Sequence, residues 1–199
     1  GRFISQSSKF VATPFTPKPK QTIRPGDVLF EPSGSGNSFG LAPLDDVVMG
    51  GASSSQFDNA SGKWTGKVTD ANNGGFVGIR TTPNFEFDMT QCQGLQFTFR
   101  GGGGNRYKIG LRDSTDFNGV VWTTSADIGK KNKNFFGNNN IGRTTSTTTV
   151  KIPFAKMTPT IFAKTVPDQT FQASTVAAFQ VAYSKFEYDG DLNNNFELG

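Results

Sequence analysis

The sequence predicts an all-β protein: an antiparallel β-sandwich of jelly-roll type behind an extended N-terminal arm. Short strand-like runs alternate with turn residues from Leu41 to near the C-terminus. Several runs alternate apolar and polar residues with period two, as strands with one buried and one wet face do. No segment carries the long 3.6-residue apolar period of a helix.

The strand candidates, in order, are residues 63–69, 75–81, 94–100, 107–112, 118–124, 147–153 and 175–182, with a last one near 195–198. In Leu95-Gln-Phe-Thr-Phe99, Leu95, Phe97 and Phe99 face one way, with Gln96 and Thr98 opposite. Tyr107, Ile109 and Leu111 alternate with Lys108 and Gly110 in the same manner. The separators are Asn-Asn-Gly-Gly at 72–75, four glycines and Asn at 101–105, and Asn-Gly at 118–119. Gly and Asn tolerate the positive φ that tight turns between antiparallel strands require. A short helical turn is expected near 167–174. About eight regularly spaced strands favour a sandwich over a closed barrel.

Length and composition narrow the function. The chain has 199 residues, enough for one domain with a full core. Hydrophobic residues make up only 34%, but 20 Phe help offset the shortage of aliphatic ones. There is no His, which excludes His-based general bases, Ser-His-Asp and Cys-His pairs and His-containing metal sites. The single Cys, Cys92, excludes an internal disulfide and any CxxC motif. No apolar run is long enough to span a membrane.

Charge is segregated. Arg2, Lys9, Lys18, Lys20 and Arg24 give residues 1–26 a charge of +5, so the rest of the +4 chain sums to −1. Pro14, Pro17, Pro19 and Pro25 favour an extended path there. The expected division is an extended basic arm rich in Pro, Gly and Ser over residues 1–40 and a sandwich over 41–199. Residues 31–40 are too rich in Gly and Ser to form an element. The arm is read as a partner-binding segment, with Arg2, Lys9, Phe15, Lys18, Lys20 and Arg24 as its contacts. It has no dense Arg run or aromatic platform, so nucleic acid is not expected as a partner.

Few residues point to chemistry. Gly101–Gly104 has no P-loop pattern and no following helix, and Gly34-Ser-Gly36 fails the third glycine of a dinucleotide loop. Asp45 and Asp46 are adjacent carboxylates. Neighbours on a strand point to opposite faces, so hydrogen bonding to turn amides is favoured over shared calcium chelation. Asp113, Asp116, Asp127, Glu187, Asp189 and Asp191 are scattered, with no motif for a glycosidase pair. Trp64, Tyr107 and Trp122 fall at buried parity, and a sugar-stacking platform is the competing reading. Cys92 is read as a structural thiol. Asn59-Ala-Ser61 fits the glycosylation pattern.

Four ordered blocks carry a resemblance. The segment Leu44-Asp-Asp-Val-Val-Met-Gly-Gly-Ala-Ser-Ser-Ser55 resembles the D-x-V-M-G-G-x-S signature of the complex I intermediate-associated protein 30 family. Gly66-Lys-Val-Thr and Asn72-Asn-Gly-Gly-Phe-Val-Gly-Ile-Arg80 are similar to its next block. Gly94–Arg100 with Arg106-Tyr-Lys108, and Thr149-Val-Lys-Ile-Pro-Phe154, follow in the family's order. The family's Gly-Asp-Gly turn is all glycine here, and its Phe and Arg-Gly positions after Phe154 are replaced around Met157 and Phe162-Ala-Lys164.

The resemblance implies a galactose-binding-domain-like sandwich and a non-catalytic accessory or assembly role on a large organellar membrane complex. The mitochondrial branch assists respiratory complex I, and related domains occur with thylakoids. The expectation leans to a photosystem with its light-harvesting antenna, in a plastid and thylakoid-associated. The alternatives are a complex I assembly factor in the mitochondrion or a carbohydrate-binding module. The chain is expected to sit as a monomer within a hetero-complex, peripheral to the membrane, without cofactor or metal. Asp45, Asp46, Met49, Gly50, Gly51, Gly74, Gly75, Arg80, Arg106 and Tyr107 are the signature residues. The glycines allow close backbone approach. Arg80 is expected to bond Asp45 or Asp46 and tie two blocks together.

Overall fold

The computed structural model describes Gln6 and residues 19–34, 37–82, 85–129, 147–187 and 195–198. Arg2, Lys9, Phe15, Lys18, Asp189 and Asp191 lie outside the described residues.

The described residues form fourteen strands: β1 (Lys20–Thr22), β2 (Leu41–Pro43), β3 (Ser54–Asp58), β4 (Lys63–Lys67), β5 (Phe76–Thr81), β6 (Glu86–Asp88), β7 (Gly94–Arg100), β8 (Asn105–Arg112), β9 (Val121–Ile128), β10 (Thr147–Pro153), β11 (Thr158–Ile161), β12 (Lys164–Thr165), β13 (Ala178–Ser184) and β14 (Asn195–Leu198). One layer is a seven-stranded sheet in the order β12-β11-β9-β8-β13-β5-β2. Opposite it lie the β14-β4-β3 sheet and the β10-β7 pair, joined by a bridge between Gly101 and Leu198. The pairings within these layers are antiparallel, and only β1 with β6 is parallel among the described pairs. The result is an antiparallel sandwich of jelly-roll type.

Strand parity decides what lies between the layers. From the seven-stranded sheet, Val77, Ile79, Tyr107, Ile109, Leu111, Val181 and Tyr183 point inward and are buried. Trp64 on β4 meets Tyr107 at 6.2 Å between ring centroids, which joins the two layers. Phe39, Phe87 and Phe179 form a second aromatic cluster. Phe87, Phe99 and Phe179 thus supply core volume, and Phe39, Phe57, Phe85, Phe97, Phe154 and Phe171 pack against it. Trp64, Tyr107 and Trp122 are 1%, 0% and 6% exposed, so the sugar-stacking platform built on these three is overturned: none presents a ring face to solvent.

The glycine turn after β7 behaves as expected. Gly101 to Gly104 all have positive φ, between 59° and 81°. A side chain is strained in that region, and a Cβ on Gly102 would also come within 2.7 Å of Ile128. Around 167–174 the chain forms a single 3₁₀ turn, Ala173–Thr175.

The expected boundary at residue 40 needs correction, because part of the supposed arm belongs to the sandwich. Lys20–Thr22 is β1, in register with Glu86–Asp88, and Lys20 pairs with Glu86 at 3.8 Å. Ile23 is 3% exposed and its N–H donates to the carbonyl of Asp88 at 2.8 Å. Asp27 accepts from the backbone N–H of Arg24 at 2.8 Å, closing a turn. Phe39 packs on Phe179 at 5.2 Å. Positive charge and proline kept these residues from reading as a strand, yet one isoleucine and one register of backbone bonds suffice to dock them.

Candidate functional site

The signature forms a buried polar knot at one end of the seven-stranded sheet. Asp46 opens a 3₁₀ turn, Asp46–Met49, which ends at Gly50 with φ 92°. The N–H groups of Gly50 and Gly51 then donate back to the carbonyls of Val47 and Asp46 at 3.2 and 2.9 Å. That reversal brings Ser53 against the Asp46 carboxylate. Its N–H reaches Oδ1 at 2.9 Å and its hydroxyl reaches Oδ2 at 2.6 Å. The N–H groups of Gly75 and Phe76 reach the same Oδ2 at 2.6 and 3.3 Å. Asp46 is 1% exposed, so these donors replace water around a full charge.

The glycines are required by this carboxylate. A Cβ on Gly51 would sit 2.4 Å from the Asp46 carboxyl carbon, and one on Gly74 would sit 2.3 Å from Oδ2. Gly75 has φ 133°, and a Cβ there would lie 2.3 Å from the Lys185 stem. Asn72 and Asn73 take positive φ just before them. One glycine of each pair, Gly51 and Gly74, therefore walls the pocket that the Asp46 side chain fills, while Gly50 and Gly75 supply positive φ.

Asp45 points elsewhere. Its Oδ1 accepts from the Ser55 hydroxyl at 2.6 Å and from the Gly78 N–H at 3.4 Å, while Oδ2 accepts from the Ser55 N–H at 2.8 Å. Gln6 completes the set, donating from Nε2 to Oδ2 at 3.2 Å and accepting the Asp45 N–H at 3.0 Å. The adjacent acids thus have separate sets of donors and do not converge on a common point. No group of metal-ligating side chains occurs among the described residues.

The expected bond from Arg80 to Asp45 or Asp46 is not formed. Gly75 and Phe76 hold Asp46, and Arg80 lies four residues further along β5, roughly 13 Å away at strand rise. Its Nε donates to Gln180 at 3.2 Å and its guanidinium lies 5.2 Å from the Phe117 ring centroid. Burial, and then repulsion from Arg112, push the Arg80 pKa down to about 9. The tie between blocks exists, but serine hydroxyls and backbone N–H groups make it.

The remaining candidates serve the scaffold. Arg106 binds Asp127 with two bonds of 2.8 and 3.0 Å, and Tyr107 is core. Asp113 accepts from the Trp122 indole at 3.0 Å and the Gln172 N–H at 2.9 Å. Burial works against the Glu187 charge, but hydrogen bonds from Lys108 and Ser125 outweigh it and leave its carboxyl below the ordinary value. Burial and the charge of Asp27 raise the Cys92 thiol, opposite to what a nucleophile needs. Asn59 has both side-chain atoms bonded to the Leu41 backbone.

Sequence reasoning missed Ser53, Ser55 and Gln6. Ser53 closes the signature string, and Ser55 follows it at the period-two spacing that returns a side chain to the same face. That spacing was a readable signal. Gln6 carried none.

The signature acids of this β-sandwich are held by amides and hydroxyls of the fold itself. The model of the Complex I intermediate-associated protein 30 (CIA30) family matches residues 34–198, and the chain belongs to that family. No curated protein matches the chain. Among solved structures it is similar to a family 11 carbohydrate-binding module from Clostridium thermocellum, in complex with a beta-1,3-1,4-mixed-linked tetrasaccharide. The identity is 15% and the TM-score 0.43, over 80% of this chain and 83% of that one. At that distance the likeness says nothing about a ligand. No helix among the described residues is long and apolar enough to cross a membrane.

Proposed function

We propose that this protein is a non-catalytic assembly or accessory factor for a respiratory complex I-type membrane complex, acting in the mitochondrion. The observation that carries the reading is the family match over residues 34–198. The preference for a photosystem and a plastid gains nothing from that match and is not kept. The site supports a binding role, because its carboxylates are engaged by the fold. Met49 is the large apolar side chain that the signature leaves exposed, at 70%. Phe186 is 66% exposed and follows Lys185, whose stem covers Gly75. Exposed apolar side chains beside a rigid polar knot suit contact with a protein partner.

The test is native electrophoresis of mitochondrial membranes containing the tagged chain. It should co-migrate with a complex I intermediate, and depletion should reduce mature complex. Met49→Glu should weaken co-migration at least several-fold with an unchanged unfolding midpoint. Co-migration with a photosystem particle, or normal complex I levels after depletion, would overturn the proposal.

A further inference from the structure

Asp45 presents two groups side by side: its backbone N–H, a donor, and Oδ2, an acceptor. Gln6 meets both with one side chain, at 3.0 and 3.2 Å. A primary carboxamide is the side-chain group that offers an acceptor and a donor in that arrangement. The same pairing recurs in the chain. Asn37 accepts the Glu31 N–H at 2.8 Å and donates to the Glu31 carbonyl at 2.9 Å. Asn59 does so with Leu41 at 2.8 and 3.0 Å. Those two clips are read against backbone alone, whereas Asp45 substitutes a carboxylate for the carbonyl.

The Asp45 half is also held by the sandwich itself. Ser55 donates twice to its carboxylate, at 2.8 and 2.6 Å, which fixes the plane of the acceptor. The carboxylate is 0% exposed and belongs to the body of the sandwich, while Gln6 comes from a segment preceding β1. We propose that Asp45 forms a carboxamide-binding site at the edge of the signature and that the N-terminal segment of this chain, through Gln6, is its occupant. The basic leader is then fastened to its own domain at Gln6 and again at β1, instead of trailing from residue 40. This holds whatever complex the protein serves.

Variants of the full-length chain test the site. Gln6→Ala removes both contacts. Gln6→Glu keeps the shape but turns an oxygen toward the Asp45 carboxylate. Exchange of the Asp45 amide hydrogen, followed by NMR, should speed up about five-fold or more in both variants, since loss of one hydrogen bond is worth about that factor. The Ser53 and Gly75 amides, which hold Asp46, should stay within about two-fold. Trypsin should cut after Lys9 faster in both. Propionamide, a free primary carboxamide, should shift the Asp45 amide resonance of the Gln6→Ala chain, and propionate should not. An unchanged Asp45 exchange rate in both variants would overturn the proposal. So would wild-type protection in Gln6→Glu, or equal responses to propionamide and propionate.

Discussion

At one end of the seven-stranded sheet Asp46 is buried among N–H and hydroxyl donors from Ser53, Gly75 and Phe76. At the other, Arg112 is 4% exposed and its Nη2 donates to the carbonyls of Asp116, Phe117 and Gly119. The two sites are mirror images in charge. One gathers the donor ends of peptide groups around an anion, and the other gathers acceptor ends around a cation. In both, the charge organises a loop: Asp46 draws residues 50–53 to residues 74–76, and Arg112 draws residues 116–119 back onto the end of β8. A buried charge held by backbone dipoles needs those dipoles at fixed positions, so each site trades solvation for a defined loop geometry. The partial charges of an amide are weaker than those of an opposite ion. That is why several converge on each side chain.

The comparison breaks most visibly at Asp46. Asp46→Ala leaves the Ser53 N–H and the Gly75 N–H without their buried acceptor, while the Ser53 hydroxyl keeps the Thr69 carbonyl at 3.1 Å. Each such group costs about 1–3 kcal/mol, so a loss of about 4 kcal/mol is expected in urea unfolding at neutral pH. Asp46→Asn should recover less than half, because the amide nitrogen would face other donors. A loss below about 1 kcal/mol for the alanine variant would mean that the knot does not hold the fold.

Arg112→Met should cost less, about 2 kcal/mol, because the released carbonyls lie on a partly exposed loop where water can replace the guanidinium. Arg112→Lys should restore only part of the loss, since the lysine stem ends one bond short of the Nη2 position that meets all three carbonyls. Hydrogen exchange across residues 113–120 should rise in both variants, with the 50–53 segment unchanged. Equal disturbance of the two segments would show that the ends of the sheet are coupled, not independent.

How far these sites could be read from residues alone differs between them. The long strands were legible, because β7 and β10 alternate cleanly and span the same residues in the structure as in the reading. The strands that were missed are short or atypical. β1, β2 and β6 have three residues each and β12 two, too few for a period, β11 contains Pro159, and the five residues of β3, Ser54–Asp58, include one apolar side chain, Phe57. The glycine pairs and Asp46 were recognisable as a unit, but their partner was assigned to Arg80 because an ion pair is the readiest explanation for an acid and a base in matched motifs. Backbone N–H groups leave no mark on a sequence, and neither do the carbonyls around Arg112. With the Asp46 carboxylate seated at Gly75, four residues of strand separate Phe76 from Arg80, too far for that side chain to bridge.

The smallest effect belongs to an ion pair between side chains, Lys108 with Glu187. Glu187 lies with Lys108 Nζ at 2.5 Å and accepts from the Ser125 hydroxyl, and its side chain is 10% exposed. Burial opposes its charge, but the hydrogen bonds from Lys108 and Ser125 and the charges of Lys108 and Arg106 keep its carboxyl below the ordinary value. A carboxylate depressed in the folded state contributes stability that is present above its unfolded pKa. As pH falls through the folded pKa that contribution is lost, because the unfolded chain takes up its proton first. The stability difference between the wild type and Glu187→Gln should therefore be constant from neutral pH down to about 5 and should shrink as the pH falls further. The plateau should be near 1 kcal/mol, as befits a partly exposed pair with one extra hydrogen bond, and it should fall in high salt. The Asp46 effect at neutral pH should hardly respond to salt, because its donors carry no mobile counterion. If both effects declined together with salt, the distinction between a charge held by amides and a charge held by an ion would not survive.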